Sequence, residues 1–126
     1  MTRSARPLRS LLVLGPARDV EDVQRELGSA AFELLVALTT TAAASKLSAS
    51  SIEAVVVSPE APIAWIDELL AAIDRIRPGI PVLVVRHRNA EEQPGWRARG
   101  VGVLRQPLLP DALVRSVSAV LSLRKT

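Results

Sequence analysis

Residues 52–62 read IEAVVVSPEAP, and the interpretation of the whole chain depends on this stretch. The run AVVV at 54–57 contains only small or β-branched residues and ends abruptly at Ser58-Pro59. Such a run is typical of a strand that is buried on both faces of a parallel sheet. In open α/β sheets, ligands bind at the carboxyl edge of the strands. The prediction therefore places Ser58 where a functional residue is expected.

Apolar runs and amphipathic segments alternate along the rest of the chain. The predicted strands cover residues 8–14, 32–38, 54–57, 81–85 and 101–104. The predicted helices begin near Asp19, at Ala42, at Pro62, near Asn89 and at Pro110, and any of the three residues 39–41, all threonines, could cap the second helix. Asp19 is interpreted as part of a helix cap, as is the pair Asn89 and Glu92, although Pro94-Gly95 is expected to interrupt that fourth helix. Five such β-α units predict a parallel sheet with helices on both faces.

Composition narrows the class of protein. The 126 residues predict one domain spanning 1–126, with residues 1–7 as a flexible lead-in. The absence of cysteine excludes disulfides and thiolate metal sites, and the single histidine excludes a His-rich metal site. No apolar run is long enough to span a bilayer and no leader pattern is present, so we expect a cytoplasmic chain without a membrane anchor.

Basic residues outnumber acidic ones, and the formal charge is +3. The arginines cluster at the start of the chain and in its last third, which is a composition that can bind nucleic acid. No DNA-reading motif accompanies them, and the aromatic residues that could stack on bases are only Phe32, Trp65 and Trp96. Nucleic-acid binding is therefore disfavoured.

In residues 8–123, the spacing of the residues that end strands and form turns resembles the receiver domain of two-component response regulators. That family ends its third strand in a phosphoacceptor Asp followed four residues later by Pro, and here these positions are Ser58 and Pro62. Its fourth strand is introduced by Ile-Pro, here Ile80-Pro81, and its last strand leads into a Leu-x-Lys-Pro turn, here Leu104 to Pro107. The resemblance implies a flavodoxin-like, doubly wound α/β/α sandwich with strand order 2-1-3-4-5. It also implies a cis bond before Pro107.

The residues that perform phosphoryl transfer in that family are all replaced here. The family's acidic pair corresponds to Gly15 and Pro16, and its phosphoacceptor corresponds to Ser58. Its hydroxyl residue corresponds to Arg86, its lysine to Gln106 and its aromatic switch residue to Val103. Without carboxylates the site has no ligands for Mg²⁺ and no nucleophile. The resemblance therefore implies a pseudo-receiver with no catalytic residues, no metal and no cofactor. Such a chain would act by phosphorylation-independent protein-protein contact or dimerisation in a bacterial-type signalling pathway.

Ser58 itself allows two interpretations. A nucleophilic serine needs a base, and strand alternation points His87, the single histidine, away from the side of Arg86. The Gly-x-Ser-x-Gly signature of a nucleophile elbow is also missing. We therefore prefer a structural Ser58 whose hydroxyl caps backbone groups at the strand end.

Arg86 also has two interpretations. In one, its guanidinium lines an anion-binding pocket that takes a phosphate-containing metabolite such as a nucleotide, or a carboxylate, which would make the domain a ligand sensor. In the other, which we prefer, Arg86 reaches solvent or pairs with Glu60 or Asp19 and locks the domain in one state.

A partner surface is predicted between the fourth and fifth helices. Trp96 follows the Pro94-Gly95 break among several arginines, and a partly exposed Trp beside Arg is typical of interface hot spots. The candidate residues are Trp96, Arg97, Arg99, Val103, Arg105 and Arg115.

Overall fold

All five predicted strands join one parallel sheet in a computed structural model that describes residues 9–28 and 32–125. The predicted lead-in at 1–7 lies outside these residues. The strands are β1 (Arg9–Leu14), β2 (Phe32–Ala37), β3 (Ala54–Val57), β4 (Val82–Arg86) and β5 (Gly102–Arg105). Their order is β2-β1-β3-β4-β5, and every neighbouring pair is parallel. The predicted flavodoxin-like topology is confirmed.

Five helices cover both faces of the sheet. They are α1 (Ala17–Leu27), α2 (Thr40–Ala49), α3 (Ile63–Ile76), α4 (Pro94–Ala98) and α5 (Ala112–Lys125). One apolar cluster holds the buried residues of α1 and α5, and a second holds those of α2, α3 and α4. The sheet therefore forms the middle layer of a three-layer α/β/α sandwich, as predicted.

The central strand β3 is buried on both faces, which explains why apolar and polar residues do not alternate in its sequence. Ala54 and Val56 pack into the cluster beneath α1 and α5, whereas Val55 and Val57 pack into the cluster on the other face. All four are at most 1% exposed. Each buried valine stabilises the fold by roughly 1.5–3 kcal/mol, so this strand has no face on which a polar residue would be tolerated.

Three helix starts differ from the prediction. Helix α1 begins at Ala17, and Asp19 does not cap it; the Asp19 carboxylate instead accepts the N–H of Glu60 at 2.7 Å. Pro94 opens α4 instead of interrupting it, because proline at the first helical position gives up an N–H that has no helical partner. Helix α5 begins after Asp111, whose positive φ of 64° is incompatible with a right-handed helix.

The cap of α2 is one of the three predicted threonines. Thr39 is the N-cap, and its hydroxyl accepts the N–H of Ala42 at 3.0 Å. Of the three threonines that could have capped this helix, Thr39 does so, whereas Thr40 and Thr41 belong to the first turn of α2.

Candidate functional site

The replaced residues lie together at the carboxyl edge of the sheet. Gly15 follows β1, Ser58 follows β3, Arg86 ends β4 and Gln106 follows β5. Backbone hydrogen bonds hold this row together: Ser58 N–H donates to the carbonyl of Leu14 at 2.9 Å, and Gln106 N–H donates to the carbonyl of Arg86 at 2.9 Å. The peptide bond between Gln106 and Pro107 is cis, which is the isomer that the resemblance implies.

Ser58 and Gly15 fill the centre of this edge between them. Ser58 is fully buried, and its hydroxyl has no hydrogen-bond partner among the residues that the structure describes. A Cβ atom added at Gly15 would lie 1.8 Å from Oγ of Ser58. The hydroxyl therefore occupies the space into which a side chain at position 15 would extend. The prediction that this hydroxyl caps backbone groups is wrong, because the groups at the strand end are paired by the backbone instead.

Residues 15 and 16, which correspond to the acidic pair of the family that the chain resembles, provide no carboxylate beside Ser58. Gly15 has no side chain, and Pro16 is the N-cap of α1 and carries no polar side-chain atom. Across the described ranges 9–28 and 32–125, no three His, Asp or Glu side chains are grouped so that they could hold a metal ion.

Arg86 lies inside the protein, on the α4 side of the sheet. It is 8% exposed, and Nη1 donates to the carbonyl of Ala61 at 3.4 Å. Within the described part of the chain its Nε has no hydrogen-bond partner, and its guanidinium carbon lies 5.9 Å from the centre of the Trp96 ring. The guanidinium is therefore held by one long hydrogen bond and by the face of an indole ring.

Both forms of the preferred prediction for Arg86 are wrong. The side chain does not reach solvent, and it forms no ion pair with Glu60 or Asp19. Glu60 is instead bonded to His87, with 2.6 Å between Oε2 and Nε2. The reason is strand alternation: Arg86 faces the same side as Val82 and Val84, towards α4, whereas Asp19 belongs to α1 on the opposite face.

Trp96 is 2% exposed, so its predicted place on a partner surface is wrong. It packs into the cluster that contains Val84 and Val101, and its indole N–H has no partner. Helix α4 is only five residues long, and Trp96 is its one buried residue. Because so short a helix has only one large side chain with which to pack against the core, the indole of Trp96 points inwards.

Arg105 is part of an ion cluster that the sequence reasoning missed. From β5, its Nη1 donates to the carbonyls of His87 (3.3 Å), Arg88 (3.5 Å) and Ala90 (2.8 Å). Glu92 accepts from Nη2 of Arg105 at 3.4 Å and from Nη2 of Arg97 at 3.1 Å. The hydrogen bond from Arg97 is the main cause that lowers the pKa of Glu92. The connection between β4 and α4 is thereby tied to the last strand.

The other predicted surface residues differ in exposure. Arg99 donates to Asp74 at 2.7 Å and stays half exposed, Val103 is partly buried against the core, and Arg115 is exposed. The most exposed large apolar residue in the described part of the chain is Leu109, which is 71% accessible in the loop before α5. It lines a cleft of about 360 Å³ between α1 and the start of α5.

No protein-family model matches this chain, and no curated protein matches it either. Solved structures do match. The signal receiver domain of a putative Luxo repressor protein from Vibrio parahaemolyticus has a TM-score of 0.78 and 14% identity, over 94% of this chain and 93% of that chain. A CheY-like response regulator receiver domain protein from Methanospirillum hungatei has a TM-score of 0.75 and 15% identity, over 94% and 97%.

A third match was solved with a metal. The receiver domain of the sensor histidine kinase PA1611 from Pseudomonas aeruginosa has a TM-score of 0.73 and 14% identity, over 91% of this chain and 98% of that chain. That structure has a magnesium ion coordinated in its active-site cleft. The structural neighbours of this chain are thus receiver domains, and the chain has their fold. Among the described residues, no helix has both the length and the apolar character needed to cross a bilayer.

Proposed function

We propose that this chain is a pseudo-receiver: a cytoplasmic signalling module that binds another protein or a second copy of itself without being phosphorylated. The observation that carries the proposal is the contact between Ser58 and Gly15. The position where a phosphoacceptor belongs holds a fully buried hydroxyl, and that hydroxyl fills the space of the missing acidic side chain. The edge of the sheet keeps its shape while the chemistry of phosphoryl transfer has been removed.

The chemical argument concerns charge. Phosphoryl transfer to a receiver requires a carboxylate nucleophile and oxygen ligands for Mg²⁺, and it requires cations that neutralise the transferred group. Gly15, Pro16 and Ser58 supply no negative charge, and Gln106 supplies no positive charge. Ser58 also lacks a hydrogen-bonded base, because no described residue forms a hydrogen bond with its hydroxyl.

A second argument concerns the connection between β4 and α4. Three of its carbonyls accept hydrogen bonds from Arg105, and its Glu92 is bonded to both Arg97 and Arg105. Hydrogen bonds that involve an ionised group are the stronger ones in proteins. They hold this connection in one conformation without a phosphoryl group, as a constitutive binding module requires.

The proposed contact surface covers the region from α4 to α5, with Trp96 removed from it. Its exposed members are Leu109, Arg97, Arg99 and Arg115. An isolated exposed leucine is ordinary, but Leu109 lines a cleft, and the exposed Arg115 donates to the carbonyl of the neighbouring Pro110 at 3.4 Å. An apolar residue beside a cleft with an arginine next to it has the composition of an interface centre and its rim.

The phosphorylation part of the proposal is tested with beryllofluoride and Mg²⁺, which mimic an aspartyl phosphate, and with a small-molecule phosphodonor. We expect no change in the amide NMR spectrum and no added mass. The PA1611 receiver, whose structure holds magnesium, is the matched positive control. A stable phosphorylated form of this chain, or spectral changes around Ser58 that require Mg²⁺, would show the proposal to be wrong.

The binding part is tested by sedimentation equilibrium of the chain and by capture of partners on the immobilised chain. Leu109→Ser is expected to weaken self-association or partner capture at least about tenfold, because it removes an apolar contact from the interface. Leu38→Ser is the matched control, since Leu38 is 45% exposed and follows β2 at the opposite edge of the sheet. Equal effects of the two substitutions would place the interface elsewhere.

A further inference from the structure

Arg86 poses an electrostatic problem that its contacts within the chain do not solve. It is the one charged residue in the described part of the chain that is buried, and no carboxylate there forms an ion pair with it. Its one hydrogen bond, to Ala61, is long, and its Nε has no acceptor. A buried charge is costly unless it is paired, so a counter-ion is expected near this group.

The start of α3 presents unpaired donors at the same place. Ala61, whose carbonyl receives the bond from Arg86, immediately precedes the N-cap Pro62. The N–H groups of Trp65 and Ile66 bond to the carbonyl of Pro62, but those of Ile63 and Ala64 have no acceptor among the described residues. The first turn of this 14-residue helix carries no acidic residue. Its positive end is therefore not compensated by the helix itself.

We propose that Arg86 and the amino-terminal end of α3 form a binding site for one phosphate group of a small molecule. A planar guanidinium donates two parallel hydrogen bonds to such a group, and the free N–H groups of a helix start donate to its other oxygens. The nearby acid Glu60 does not take this place, because its carboxylate is bonded to His87, and Asp19 accepts the N–H of Glu60. The proposal rests on this geometry and is independent of the proposed signalling function.

Trp96 supplies a direct readout of the site. Arg86 lies 5.9 Å from the centre of its ring, so an anion that neutralises the guanidinium changes the field at the indole. Replacing Trp65 by phenylalanine leaves Trp96 as the single tryptophan of the chain. Its fluorescence in Trp65→Phe protein then reports anion binding from one known position.

The experiment titrates Trp65→Phe protein with inorganic phosphate and with adenosine monophosphate, and the ionic strength is held constant with sodium chloride to remove general screening. We expect saturable fluorescence changes with both probes. Adding Arg86→Met, which keeps a long side chain without the charge, is expected to weaken binding at least about tenfold. Arg86→Lys is expected to bind more weakly than the parent and more tightly than Arg86→Met, because it keeps the charge without the planar fork.

Arg88→Gln is the matched control, since Arg88 is exposed and its side chain forms no hydrogen bond or ion pair with a described residue. It should bind phosphate as tightly as the parent. Urea unfolding of the Arg86→Met protein shows whether that variant is folded, and if it is not, Arg86→Lys alone carries the comparison. The proposal is overturned if no saturable change occurs, or if Arg88→Gln and Arg86→Met weaken binding equally. Failure here leaves the beryllofluoride result on phosphorylation unaffected.

Discussion

Replacing Gly15 by alanine is expected to destabilise the protein by about 2–4 kcal/mol, which overlaps the upper part of the usual overpacking cost of about 1–3 kcal/mol and extends slightly beyond it. The added Cβ would lie 1.8 Å from Oγ and 2.8 Å from Cβ of Ser58. Carbon atoms in contact sit about 3.5–4.0 Å apart, so the two Cβ atoms must separate by about 0.7–1.2 Å, and Oγ of Ser58 must move further. They cannot do so freely, because Ser58 N–H is bonded to the carbonyl of Leu14, the residue before Gly15.

Substitution of Ser58 tests whether its side chain is the cause of this destabilisation. Ser58→Gly removes both clashing atoms, and alone it should cost about 0.5–1 kcal/mol through backbone entropy. The double variant Gly15→Ala/Ser58→Gly should therefore be more stable than Gly15→Ala alone, with a coupling of at least about 1 kcal/mol. Gly95→Ala is the control for alanine substitution itself, since its added Cβ meets open space within α4.

The assay is urea unfolding followed by far-UV circular dichroism, with the free energy of unfolding extrapolated to water. Gly95→Ala is expected to be neutral, or more stable by up to about 1 kcal/mol, because alanine favours helix. The reasoning fails if Gly15→Ala unfolds at the same urea concentration as the parent. It also fails if the effects of Gly15→Ala and Ser58→Gly simply add, because the hydroxyl would then not fill the site.

Three further predictions concern single polar groups. Thr39→Ala should cost about 0.5–2 kcal/mol in urea unfolding by removing the cap of α2, and Thr39→Ser should restore most of it. Because Arg97 lowers the pKa of Glu92 below its ordinary 4.5, Glu92 stabilises the fold above that pH, and the contribution is lost as the pH falls through the lowered value. Glu92→Gln should therefore destabilise at neutral pH and have no effect under strongly acidic conditions; equal effects at both pH values would contradict this. Arg105→Gln should speed amide hydrogen exchange in residues 87–92 relative to α1, and unchanged exchange would show that Arg105 does not hold this connection.

Much of the fold was predictable because each strand carries its own signal. A strand that is buried on both faces is apolar throughout and is followed by residues that form a turn. The run AVVV followed by Ser-Pro therefore predicted a buried strand with little ambiguity. A threonine cap for α2 was also predicted from residue type, although the sequence left Thr39, Thr40 and Thr41 open and the structure shows Thr39. Errors gathered at helix starts, where Pro94 and Asp111 act through backbone angles that the side-chain pattern does not show.

The candidate site was predictable as a row of positions but not as a set of contacts. Spacing along the chain located Gly15, Ser58, Arg86 and Gln106, because parallel strands end at one edge of the sheet. The partners of Arg86 were predicted wrongly, because the residue type and its place at a strand end do not distinguish an exposed arginine in a salt bridge from a buried arginine over an indole ring. The role of Arg105 was missed for a similar reason: its acceptors are mostly backbone carbonyls, which every residue has.

The sequence by itself determined the order of strands and helices along the chain, the residue at each strand end and the absence of carboxylates at Gly15, Pro16 and Ser58. These follow from local patterns of apolar and turn-forming residues and from residue identity. Only the tertiary structure decided that Ser58 fills the space beside Gly15, that Trp96 is buried and that Arg86 has no acidic partner among the described residues. Each of these depends on the distance between elements far apart in the chain, which packing sets and no local pattern encodes.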